Sequence, residues 1–123
     1  MNVVLWIVQA VLAFVFLMAG AMKIAKTKEQ LAEQMGWVEE FDASRILSIG
    51  VLEVLGAIGL ILPGATGIGP QLVPLAAIGL GVMMVLAAQV HLRRSEMPNV
   101  AVNGILLLGL LVVAVGRFFD YVV

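Results

Sequence analysis

LVPLAAIGLGVMMVLAAQVHL, residues 72–92, runs for 21 positions without a Lys, Arg, Asp or Glu. A helix rises 1.5 Å per residue, so this stretch reaches about 32 Å, enough to cross a hydrocarbon core of about 30 Å. Val3–Met22 has the same character, Val100–Phe119 departs from it at Arg117, and Ile46–Leu62, with Glu53 inside it, is a shorter version near the lower limit. None shows the strict alternation of barrel strands, and backbone polar groups in lipid must be satisfied within the segment, so helices are the expected form. The reading is an all-α membrane protein: a four-transmembrane-helix bundle in a single membrane domain over residues 1–123.

Composition agrees. Hydrophobic residues make up 63% of the chain and charged residues 12%, with a mean hydropathy of +1.13, whereas soluble domains carry about a quarter charged residues. Val3–Met22 is longer than a typical signal-peptide core, lacks a basic leader and is followed by lysines, so it reads as a span. With no Cys, the chain itself carries no thiol redox chemistry and no thiolate metal site. No basic arm suggests nucleic acid as a partner.

The charges concentrate between spans. Lys23–Arg45 is the long polar stretch, and within it Thr27 followed by Gln30 has capping-box spacing, with Leu31, Met35 and Val38 at helical intervals. A short amphipathic surface helix over Lys28–Met35 follows, with Trp37 and Phe41 as interfacial anchors. Asp42 or Ser44 caps the second span, which should end at Pro63–Gly64 because proline disfavours helix in the residue before it. The charge-free Pro63–Pro70 turn makes spans two and three a hairpin, and Pro98–Asn99 opens the fourth span with Asn99 as N-cap. Lys23, Lys26, Lys28, Arg45, Arg93 and Arg94 lie on the loop side, against Arg117 on the side of the termini. The positive-inside rule therefore predicts a multi-pass cell-membrane protein with both termini extracytoplasmic.

Polar groups inside spans are expensive and should face partners or a cavity. Glu53 is the acid furthest from any loop, about 10 Å along the axis from the loop side of its predicted span. Counting depth on antiparallel helices brings Lys23, Gln89, His91 and Asn103 to the same half of the bundle. The expectation is a Glu53–Lys23 ion pair with amide and imidazole partners, forming a polar pocket; the structural alternative is a tether that sets helix register. His91 adjoins Arg93 and Arg94 and can equally be solvated. Arg117 and Asp120, at i and i+3, read as a local ion pair. One His rules out bis-histidine haem and multi-His metal sites, and there is no phosphate loop, nucleophile elbow or zinc-protease helix.

Gly20-Ala21-Met22-Lys23-Ile24, Glu53 followed by Gly56, Ala88-Gln89-Val90-His91, and Asn103 with Arg117-Phe118 together resemble the DoxX-like family of small membrane proteins. The resemblance covers nearly the whole chain. It implies a four-helix membrane bundle and a range of roles, from quinone-linked sulfur oxidation and oxidoreductase complexes in bacterial relatives to chaperones and cargo receptors in distant eukaryotic ones. The leading expectation is an accessory membrane protein, not a stand-alone enzyme, that binds a small amphipathic ligand such as a quinone or lipid, or a partner membrane protein, around Glu53; self-association is a further option. A quinone-coupled oxidoreductase in which Glu53 and His91 relay protons is the alternative. A small transporter ranks third, because the halves show no inverted repeat.

Overall fold

The computed structural model describes residues 2–122 and contains four long helices and one short one. They are α1 (Asn2–Ala25), α2 (Lys28–Ala32), α3 (Ala43–Thr66), α4 (Leu72–Arg93) and α5 (Met97–Tyr121), with a 3₁₀ turn at Gly36–Glu40 between α2 and α3. No strand occurs among the described residues. The four long helices are each apolar enough to cross a membrane. Their outer faces carry Val3, Ile7, Phe14, Leu75, Ile105 and Leu108, all more than half exposed. Water does not tolerate so continuous an apolar surface; a bilayer requires it.

The core is filled by Leu12 and Phe16 of α1, Ala57 and Leu60 of α3, Val73, Ala77 and Leu80 of α4, and Leu110 and Val113 of α5. The most extensive helix contacts are α1 with α3 and α4 with α5, so the bundle consists of two tight pairs of chain neighbours. Small residues bring the pairs together: at Gly56 and Gly59 of α3 an added Cβ would lie 2.6 Å from Leu80 and 2.9 Å from Ala76 of α4. One end of the bundle, the loop end, carries the α2 segment and the α4–α5 turn. The terminal end carries both chain ends and the α3–α4 turn.

Three local expectations need correcting. First, α3 runs through Pro63 to Thr66 and stops at Gly67, whose φ of 73° lets its N–H return to the Pro63 carbonyl. Leaving the helix at Pro63 would expose backbone groups near lipid, a cost greater than one lost N–H. Second, α2 ends at Ala32, short of Met35, and the chain re-tightens as the 3₁₀ turn. Gly36, a poor helix former, stands at this break. Third, α5 starts at Met97 with Pro98 in its first turn, and the Asn99 side chain approaches His91 instead of capping. Trp37 and Phe41 lie half-buried at the loop end, each packed on one side against the Leu31–Val38–Ile46 cluster.

Candidate functional site

Two polar clusters occupy opposite ends of the bundle. At the loop end, Lys23 Nζ lies 2.8 Å from Glu53 Oε1, both side chains buried. Because α3 begins at Ala43, Glu53 sits about 15 Å into the helix, deeper than the predicted span start implied. Lys23 is close to the end of α1, so its stem must run inward. Gly50 makes that possible: a Cβ there would lie 2.8 Å from Lys23 Cβ and 2.9 Å from the Gly20 carbonyl. Oε1 of Glu53 has no hydrogen-bond partner beyond the ammonium contact among the described residues.

Trp37 lies beside the pair. The Lys23 ammonium is 5.7 Å from its ring centroid, a cation–π distance. His91 meets the same indole edge-on, with ring centroids 6.4 Å apart. The imidazole, buried at the end of α4, places Nδ1 2.8 Å from Glu96 Oε1 and 3.3 Å from Asn99 Nδ2. Around it, Glu40 of the 3₁₀ turn accepts from Arg93 at 2.8 Å and from Arg94 at 2.7 Å, clamping the α2 segment to the end of α4. The Arg94 and Arg93 guanidiniums hold the Glu40 carboxyl below its ordinary value. The contact with His91, reinforced by Arg94, does the same for Glu96.

The remaining predicted residues do not gather at Glu53. Gln89 is exposed on the outer face of α4. Asn103 is buried on α5 but forms no hydrogen bond with Lys23 or Glu53 among the described residues. His91 reaches Lys23 only through Trp37. Neither of the two clefts described here is lined by Lys23 or Glu53: one, of about 570 Å³, is an apolar groove between α3 and α4, and the other, of about 520 Å³, lies at the terminal end.

The terminal-end cluster is the part that residue spacing missed. Arg117 is 2% exposed. Its Nε donates to Gln9 Oε1 at 2.7 Å, and its Nη1 donates to Asn2 Oδ1 at 2.7 Å and Asp120 Oδ2 at 2.9 Å. Gln9 is itself fixed by donating to the Leu60 carbonyl of α3 at 2.6 Å. The guanidinium also lies 5.1 Å from the Trp6 ring and 5.3 Å from the Tyr121 ring. The expected i, i+3 pair with Asp120 thus forms, as one part of a wider network over three helices. The signal available in the sequence was Gln9, an amide seven residues into an otherwise apolar span.

Among the described residues no group of three or more His, Asp or Glu could hold a metal ion. The sequence model of the DoxX-like family matches residues 7–115 of this chain, a stretch that includes Lys23, Glu53, His91 and Asn103 and stops just short of Arg117. No curated protein matches the chain, and no solved structure does.

Proposed function

We propose, from the premise that this chain belongs to the DoxX-like family of integral membrane proteins, that it is a non-catalytic accessory subunit holding a small amphipathic ligand at the Lys23–Glu53 pair. The ligand class is a quinone or lipid whose polar head exchanges hydrogen bonds with the carboxylate and ammonium. The observation that carries the reading is the pair itself. Two charges desolvated inside a bundle seldom repay their burial by mutual attraction alone, and in membrane spans such residues mark ligand or ion pathways. Gly20 and Gly50 let the two helices approach closely enough for the pair to form, and the indole of Trp37 faces the ammonium.

Trp37 favours binding over proton relay. A relay from Glu53 to His91 needs a chain of groups that both donate and accept, and indole donates through one nitrogen and accepts nothing. The ring that faces both Lys23 and His91 supplies no relay step between them.

The test is solvent extraction of the purified protein followed by mass spectrometry of the extract. Wild type should release a quinone or a defined lipid in near-stoichiometric amount, and Lys23→Met/Glu53→Met should release none. The double replacement keeps the bundle intact because exchanging both partners for apolar side chains of similar size is often neutral or stabilising. Equal ligand content in the two proteins overturns the reading.

A further inference from the structure

Arg117 has more donors than the fold uses. Of its five N–H groups, those on Nε and Nη1 are taken by Gln9, Asn2 and Asp120, whereas Nη2 has no hydrogen-bond partner among the described residues. Leaving a charged donor unpaired in a buried place is costly, and the native exceptions call for an occupant. Arg117 lines the 520 Å³ cleft at the terminal end together with Asn2, Leu5, Phe119 and Asp120. Asn2 and Asp120, which occupy the neighbouring Nη1, are both exposed at the rim of this cleft.

The cleft's chemistry narrows the occupant. Arg117 and Asp120 sum to zero charge, so a simple anion would meet the Asp120 carboxylate as well as the guanidinium. A zwitterion with an acidic oxygen beside a primary amine satisfies both. The site lies at the helix ends, where headgroups lie, and Leu5 and Phe119 give it apolar walls. We propose that this cleft binds the headgroup of an aminophospholipid, the phosphate oxygen accepting from Arg117 Nη2 and the ammonium donating to Asp120. Trp6 and Tyr121, flanking the guanidinium, hold its plane for the phosphate.

Native mass spectrometry of the full chain, released from detergent with an equimolar mixture of phosphatidylethanolamine, phosphatidylglycerol and phosphatidylcholine, tests this. In wild type, phosphatidylethanolamine adducts should exceed phosphatidylglycerol adducts by about tenfold, the size of one charge-assisted hydrogen bond. Phosphatidylcholine, whose quaternary ammonium has no N–H, should trail phosphatidylethanolamine. Asp120→Asn, a change at an exposed rim position, leaves a net positive cleft and should bring the ratio of the first two lipids to one or below. Arg117→Lys, which keeps the charge but removes Nη2, should lose the phosphatidylethanolamine preference. Equal retention of all three lipids by wild type, as expected if water alone fills the cleft, overturns the proposal. So does an unchanged ratio in Asp120→Asn, or displacement of phosphatidylethanolamine by millimolar inorganic phosphate.

Discussion

At Gly20 an added Cβ would lie 2.6 Å from the carbonyl oxygen of Gly50 and 2.8 Å from Val54 Cγ2, so even one methyl group must push α1 away from α3. Gly20→Ala should lower the thermal midpoint in detergent, at a cost of about 1–3 kcal/mol for overpacking, and should loosen the Lys23–Glu53 contact that depends on this approach. Gly79 is the control: an added Cβ there meets nothing within 4 Å, so Gly79→Ala should be neutral or mildly stabilising through helix propensity. Differential scanning fluorimetry on the two variants separates the cases, and equal midpoints would remove close packing as the explanation. The glycines stand out in the sequence, but which of them touches another helix does not, because a residue without a side chain leaves no periodic trace of the face it occupies.

Among the elements, the α2 segment combines a predicted start with an unforeseen end. Its capping box forms, with Gln30 N–H donating to Thr27 Oγ1 and Thr27 N–H donating to Gln30 Oε1. Its continuation instead answers to tertiary contacts: Glu40 reaching Arg93 and Arg94, 53 and 54 positions away, and Trp37 lying against His91. Local spacing encodes the first kind of information and is silent on the second. The clamp has a pH signature. Glu40 and Glu96 both titrate below the ordinary carboxyl value of 4.5 in the folded protein, so their contribution is complete above that value and is lost as pH falls through the lowered folded values. Fluorescence at Trp37, measured in a Trp6→Phe background, should stay constant from pH 7 down to the ordinary carboxyl range and change only below it as the segment lifts. Glu40→Gln should weaken the clamp at neutral pH. A fluorescence profile unchanged through the acid range would overturn this account of the clamp.

For the whole molecule, four apolar stretches of membrane length were enough to establish the number of helices, since lipid leaves a chain few alternatives. Depth counting carried Lys23 and Glu53 to the same half of the bundle but could not say that Gln89 faces outward, because rotation about a helix axis is set by packing partners and not by depth. The Arg117 network escaped for a related reason: Gln9 and Arg117 lie 108 positions apart, at opposite ends of the chain. Orientation remains a prediction from charge. With six of seven basic residues on the loop side, a C-terminal alkaline phosphatase fusion, active only outside the cytoplasm, should be active, and a C-terminal green fluorescent protein fusion should be dark.

The same network bears on how the protein is made. Each tight helix pair is formed by neighbours in the chain, so either pair can close as soon as its second member leaves the ribosome and enters the bilayer. The bonds from Arg117 to Asn2 and Gln9, and from Gln9 on to Leu60, tie the last helix to the first and third. The Gln9–Leu60 bond can form within the first pair, but the bonds from Arg117 wait until α5 has entered the bilayer. Until then Gln9 Oε1 lacks its donor inside a lipid-length span, a mark by which membrane quality control can distinguish a bundle still without α5 from an assembled one.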